Sequence, residues 1–290
     1  MSLAGKNALV TGSSRGIGRG ITLKLAERGA HVGITYYQNE QSAKDVLKKV
    51  RDLGSDGFVS QVDVCDPDAI DRLFQRTRSE FGTLDILVSN ARSEIPTFYE
   101  PPLDISSEKW DTACNSQGKA FLLEVQKAVK IMGAGGRIIA VTYADGSRTG
   151  SWLPWVAMGS AKAAMESLVR YFGVALARRG ITVNAVSPGF TEDSVLNSLP
   201  EAAQDMVREW HGQGWTPMGR LGTPADIGNV VSLLCSEEAG WITGQTIYAD
   251  GGASLVSGGL PPAIQGWDAA PPREERQVAM PAASEAQLAT

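Results

Sequence analysis

Seven short apolar runs limit what this chain can fold into: NALVT (7–11), HVGIT (31–35), GFVSQVD (57–63), LDILVSN (84–90), RIIAVT (137–142), ITVNAV (181–186) and QTIYAD (245–250). Turn residues bound each run, and most are separated by stretches with helical spacing of apolar side chains, the pattern of strands alternating with helices. Strands linked in this way pair in parallel, and helices then cover both faces of the sheet. The strands therefore read as nearly continuous apolar runs instead of alternating ones. The expected fold is α/β, a doubly wound seven-stranded parallel sheet in a single domain spanning residues 1–256. From Ser257 the texture changes: residues 257–290 hold five of the chain's 14 prolines, many alanines and little apolar periodicity, and are expected to be a disordered tail.

A hydrophobic content of 43% in 290 residues is enough for a substantial core. The net charge of -5, with acidic and basic residues interspersed, offers no broad basic surface, so nucleic acid is not an expected partner. No apolar run approaches the roughly 20 residues that cross a bilayer, and MSLAGK leads straight into the first strand without a signal-peptide pattern, so a cytoplasmic protein with no membrane partner is expected. Cys65, Cys114 and Cys235 are widely separated, and with only His31 and His211 they make no metal-ligand spacing. All three are read as reduced packing residues.

ALVTGSSRGIGRGI (8–21) places Gly12, Gly16 and Gly18 directly after the first strand and at the start of a helix, with Ser14, Arg15 and Ile17 between them. Such glycines let the backbone approach a pyrophosphate, and a helix N-terminus favours its charge. A tight strand-to-helix turn also needs glycine for steric reasons, but the strand-turn-helix context points to nucleotide binding. The spacing is G-x-x-x-G-x-G, and the stretch resembles the short-chain dehydrogenase/reductase family, whose turn reads T-G-x-x-x-G-x-G. The resemblance extends to about Ala253. Asp63-Val64 matches the family's adenine-contacting pair, Ser89-Asn90-Ala91-Arg92 stands where the family has N-N-A-G, and Ser187-Pro188-Gly189 with Thr191 is similar to the segment that closes over the nicotinamide. It implies a Rossmann-type domain binding a nicotinamide cofactor through Gly12, Ser14, Arg15, Gly16, Ile17, Gly18, Asp63, Val64, Asn90, Lys162, Pro188, Gly189 and Thr191. The second strand ends Gly33-Ile34-Thr35-Tyr36-Tyr37, with no acid to bind a ribose 2′-hydroxyl and repel a 2′-phosphate, while Arg15 suits a phosphate. NADP(H) is therefore the expected cofactor.

In most of the family a Tyr-x-x-x-Lys pair supplies the proton donor and the ribose-binding cation. Here those positions read Met158-Gly159-Ser160-Ala161-Lys162, and methionine is no acid. The wider Tyr-x6-Lys spacing of the enoyl-acyl-carrier-protein reductase branch, with its M-G-x-x-K-A context and an upstream tyrosine, is similar to Met158–Ala163 and to Val141-Thr142-Tyr143. Six residues back from Lys162, however, lies Trp155. The candidate catalytic set is Lys162, Asn115, Tyr143 and Trp155. Lys162 is either the ribose-binding cation or a solvated lysine near the start of the helix AKAAMESLVRYFGVALARR. Asn115 matches the family's helix asparagine, which holds a water relay, or is a plain helix-face residue. Tyr143 ends a buried strand at the ligand-binding edge, or caps the core there. The Trp155 indole donates a hydrogen bond but cannot protonate an alkoxide. Arg92, where the family has a small residue, either stabilises an anion or faces solvent.

Three readings remain open. The first is an NADP(H)-dependent reductase of a conjugated carbonyl or an imine, whose product anion needs hydrogen bonds more than a strong acid. The second is a non-redox cyclase derived from the same scaffold, and the third is a cofactor-binding sensor without turnover. The region from Thr191-Glu192-Asp193-Ser194 to His211–Trp215, with Trp210, Pro217 and Met218, is expected to form a lid bounding a pocket for an apolar or aromatic small molecule. His211 is a possible base there, although a lone histidine is more often incidental. The resemblance implies a homodimer or homotetramer through the helices carrying Asn115 and Lys162.

Overall fold

A computed structural model describes residues 2–143, 154–193 and 195–256. Seven parallel strands, β1 (Asn7–Val10), β2 (His31–Tyr36), β3 (Gly57–Gln61), β4 (Leu84–Ser89), β5 (Met132–Val141), β6 (Thr182–Pro188) and β7 (Thr246–Ala249), form one sheet in the order β3-β2-β1-β4-β5-β6-β7. The expected sheet is thus present, with β5 starting five residues before the apolar run RIIAVT because Leu84 of β4 pairs with Met132 ahead of a register shift.

Among the described residues, eight α-helices flank the sheet: α1 (Gly16–Glu27), α2 (Glu40–Asp52), α3 (Pro67–Phe81), α4 (Ser107–Cys114), α5 (Ala120–Ala128), α6 (Val156–Leu176), α7 (Glu201–Trp210) and α8 (Pro224–Leu234). Side chains of α1, α2 and α8, among them Ile21, Leu25, Val46, Val50, Ile227 and Val231, share one core with Val10, Ile34 and Val88. Those of α3, α5 and α6, among them Ile70, Leu73, Phe121, Val125, Met165 and Val169, share a second core with Leu9, Leu87 and Ile138. Helices on both faces explain why the inner strands carry apolar side chains at successive positions. The described helices include none long and apolar enough to cross a membrane.

The chain order reverses between β1 and β4, the switch point at which open α/β sheets form a crevice at the carboxyl ends of their strands. Helices α1 and α8 meet backbone to backbone. A Cβ on Gly20 of α1 would lie 2.3 Å from the Pro224 carbonyl oxygen, so α1 and α8 dock through a glycine. The N-terminus of α8 is closed by a reciprocal cap: the Thr223 hydroxyl accepts from the Asp226 N–H while the Asp226 carboxylate accepts from the Thr223 N–H. The segments 144–153 and 257–290, the expected tail among them, and Ser194 lie outside the described residues.

Candidate active site

The turn after β1 is clamped from two sides. On the β2 side, the Gly12 N–H donates to Thr35 Oγ1 at 2.9 Å, and the Ser13 hydroxyl accepts from the Thr35 N–H at 2.8 Å. On the β4 side, Asn90 Nδ2 donates to the carbonyl oxygens of Thr11 and Gly12 at 2.9 and 3.0 Å, and the Thr11 hydroxyl accepts from the N–H groups of Asn90 and Ala91. Gly12 sits at φ 64°, and a Cβ there would lie 2.7 Å from Ala91 Cα. On Gly18 a Cβ would lie 2.3 Å from the Gly12 oxygen and 2.5 Å from Asn90 Nδ2. No side chain caps α1, and its first turn carries no acid, so the helix N-terminus turns uncapped N–H groups toward the cleft.

This turn is one wall of a cleft of about 790 Å³. Gly12, Ser14, Arg15, Gly16, Ile17 and Gly18 line it, followed by Asp63 and Val64 after β3, Asn90 after β4, Pro188 at the end of β6, and Gly189 and Thr191 just beyond it. The end of β2 contributes Tyr36, Tyr37, Gln38 and Asn39 and no acid. A glycine cradle that a Cβ would fill, an uncapped helix N-terminus and a second strand ending without a carboxylate fit a dinucleotide with a 2′-phosphate. Arg15 faces the cleft, with its guanidinium held 2.8 Å from the Glu94 carboxylate at the rim.

Across the cleft stand Tyr143, Trp155, Met158, Lys162 and Arg92. The Trp155 indole stacks on Tyr143 with ring centroids 5.8 Å apart and an interplanar angle of 25°, meets Phe98 at 5.0 Å, and takes the edge of Tyr99 at 6.2 Å. Its backbone is pinned by a bridge to Glu100. Met158 is buried in the same apolar cluster, with Phe98, Ala113, Ala157 and Ala161, which explains why a methionine is accommodated there. Helix α6 begins directly after Trp155, five residues earlier than the amphipathic pattern indicated, because Ala157, Met158 and Ala161 already pack inward. Lys162 consequently lies in the second turn and is not a solvated helix-end lysine. It is 5% exposed, and its Nζ donates to the Val141 carbonyl oxygen at 2.6 Å. Burial pushes its ammonium down to about 7 and the Arg92 guanidinium acts the same way, opposed by the Glu124 and Glu166 carboxylates.

Arg92 is partly buried in the cleft wall, with its Nη1 donating to the Ser93 carbonyl oxygen at 2.9 Å. Desolvation lowers its pKa, and the nearby Asp193 and Glu94 carboxylates counter part of that effect. Burial raises the Asp193 pKa, opposed by the Val195 N–H and by Arg92.

Asn115 is not among the cleft-lining residues; Thr112 and Ser116 are, and Gln117 is buried with its Nε2 donating to the Ala91 carbonyl oxygen at 3.0 Å. Asn115 opens a π-helical turn that runs over Asn115–Lys119. The lid aromatics also do not line the cleft. Trp210 packs on Trp215 at 5.4 Å, and His211 packs on Phe190 at 5.2 Å with its Nδ1 2.7 Å from Thr216 Oγ1. Phe190, Thr191, Asp193, Val195 and Leu196 form that wall instead. Burial lowers the His211 pKa.

Glu124 had no place in the sequence-based site, yet it is 1% exposed beneath the cleft and burial raises its carboxyl to about 7. The signal was present: an acid inside AFLLEVQKA, flanked at helical spacing by Ala120, Phe121, Val125 and Ala128, falls on an inward face.

A family model described as enoyl-(acyl carrier protein) reductase matches residues 12–254. A hydroxynaphthalene reductase-like protein of Metarhizium majus is 35% identical over 261 residues, covering 87% of this chain and 96% of the relative. A 1-cyclohexenylcarbonyl-CoA reductase of Streptomyces collinus is 34% identical over 256 residues, covering 86% and 87%. Among solved structures, an angucycline C-6 ketoreductase with bound NADP is 35% identical with a TM-score of 0.79, covering 88% of this chain and 98% of that one. The glycine turn, the switch-point cleft and these matches lead to one conclusion: the chain belongs to the short-chain dehydrogenase/reductase family.

Proposed function

We propose that this chain is an NADP(H)-dependent reductase that transfers hydride to the β-carbon of a conjugated carbonyl, or to an imine, in an apolar or aromatic small molecule. The observation that carries this reading is the Trp155 indole, stacked on Tyr143 in the same cleft as the buried Lys162. Reductase activity fits the relatives, which are named as reductases of hydroxynaphthalenes, of an angucycline and of a cyclohexenylcarbonyl thioester.

NADP(H), when bound, supplies the hydride. The turn from Gly12 to Gly18 with the α1 N-terminus would hold its pyrophosphate, Asp63 and Val64 its adenine, and Asn90, Lys162, Pro188, Gly189 and Thr191 its nicotinamide half. Reduction of a simple ketone leaves an alkoxide, which needs an acid at its oxygen. Trp155 offers only an N–H donor. Reduction of a conjugated carbonyl leaves an enolate, whose charge is spread, and hydrogen bonds from the Trp155 indole, the Tyr143 hydroxyl or the Arg92 guanidinium stabilise it until solvent supplies the proton. A protonated imine carries its proton before hydride arrives. The exposed Tyr171 and Val174 on α6 support assembly as a homodimer or homotetramer through the helices bearing Asn115 and Lys162.

The test is to incubate the protein with NADPH and, separately, conjugated enones, enoyl thioesters, cyclic imines and simple ketones, following loss of nicotinamide absorbance. Oxidation with enones or imines and not with ketones is expected. Ketone reduction at equal rates would overturn the proposed substrate class, and rearrangement of a substrate without NADPH oxidation would move the chain to the non-redox reading.

A further inference from the structure

Beneath the cleft, around Lys162, lies a buried polar cluster whose carboxylates hydride transfer leaves without a role. Glu124 enters it from α5, with one carboxylate oxygen, Oε2, unpartnered among the described residues, and the Gln117 side-chain oxygen is likewise unpartnered. Lys162 enters from α6 and is 5% exposed. The Thr142 hydroxyl donates to Glu166 at 2.8 Å, closing the cluster on the strand side. The two helical segments come together through small residues: a Cβ on Gly118 would lie 3.5 Å from Ala164 Cβ and 3.9 Å from the Ala161 carbonyl oxygen. An isolated ammonium and an isolated carboxylate are each costly to bury, and together each offsets part of the other's cost.

We propose that Glu124 is a positioning residue for Lys162, supplying from beneath the cleft the counter-charge that keeps the lysine protonated where cofactor and substrate meet it. Lys162 Nζ donates to the Val141 carbonyl oxygen, next along β5 to Ala140, which pairs with Ser89, the residue whose hydroxyl Glu124 reaches from α5; Arg92 from the loop after β4 and Glu166 from its own helix also face the lysine. Arg92 drives the proton off and the two carboxylates hold it on. Glu124 faces Lys162 and the hydroxyls of Ser89 and Thr11, which act against the effect of burial on its acidity. Losing the Glu124 charge leaves Lys162 between burial and a like charge, with Glu166 alone opposing them, so the amine becomes neutral at lower pH. This assignment rests on the reductase reading only for its consequence in turnover. The titration itself needs neither substrate nor cofactor, so its failure is separable from failure of that reading.

The experiment is a pH titration of the intact protein carrying 13C-labelled lysine, with the Lys162 signal assigned by its loss in Lys162→Met. Glu124→Gln is expected to move the Lys162 midpoint down by about one pH unit or more, Glu124→Asp to restore most of it, and Arg92→Met to move it up. A purely structural role for Glu124 would lower the melting temperature without moving this midpoint, and an unchanged midpoint in Glu124→Gln overturns the proposal. Should Glu124→Gln fail to fold, the unsubstituted protein decides. The side-chain carboxyl signal of Glu124 is expected to titrate in the same pH step as Lys162, and titration in the ordinary carboxylate range with no matching change at Lys162 overturns the assignment.

Discussion

Gly18→Ala isolates the phosphate-binding turn from the rest of the fold. Gly18 lies within α1 and its φ is not in the left-handed region, so the added methyl brings no backbone penalty. Its cost is steric: the Cβ would stand 2.3 Å from the Gly12 carbonyl oxygen and 2.5 Å from Asn90 Nδ2. Asn90 is fixed by its bonds to Thr11 and Gly12 at the buried edge of β1 and β4, so the turn itself must give way and carry its N–H groups with it. Overpacking of this kind costs about 1–3 kcal/mol, which corresponds to a roughly 5- to 150-fold loss if it falls on binding. The assay is titration of nicotinamide fluorescence with NADPH, paired with a thermal melt. Gly54→Ala serves as the control, since Gly54 has φ 81° with nothing within 4 Å of the added Cβ and lies outside the cleft. It is expected to lower stability by about 1 kcal/mol and to leave NADPH affinity alone. NADPH binding to Gly18→Ala as tight as to the parent would refute the cradle geometry.

Three further outcomes follow from the geometry. Because the Lys162 pKa is lowered from 10.5 to about 7, the unfolded chain binds more protons across that window and stability rises with pH through it. Glu124, raised from 4.5 to about 7, works in the opposite sense below 7, so thermal melts across pH should show a shallow minimum near neutrality that flattens in Glu124→Leu/Lys162→Met; that double variant should equal the parent in stability or exceed it by about 1–4 kcal/mol. Thr223→Ala removes the cap of α8 and is expected to cost about 1 kcal/mol in chemical denaturation, with activity retained. Trp210→Ala is expected to leave kcat/KM unchanged while Phe190→Ala raises KM, because only Phe190 lines the cleft; the reverse pattern in steady-state kinetics would restore the lid reading.

The parts of the site legible in the sequence were those fixed by local geometry. The run from Gly12 to Gly18, Asp63-Val64, Asn90 and Pro188-Gly189 each sit where a strand ends, and a parallel sheet brings those ends to one edge whatever the details of packing. Asn115 opens a π-helical turn, and nothing in CNSQGKA signals the extra residue that such a turn carries. Which way the lid aromatics turn was open in the sequence, because the mutual packing of Trp210 and Trp215 depends on contacts that periodicity does not encode. Lys162 lines the cleft, and its burial depends on α6 starting at Val156, which is decided by the packing of Met158 against Phe98 and Trp155. Glu124 could have been found, since an acid on the apolar face of a helix needs a partner.

The most direct test of the proposed role of Trp155 is Trp155→Tyr, assayed with NADPH beside the parent against one enone and one simple ketone. The account predicts that the parent reduces the enone and not the ketone, and that Trp155→Tyr gains ketone reduction because a phenol then stands near Lys162 with the cofactor cradle intact. Ketone reduction by the parent at the level of the variant would contradict it.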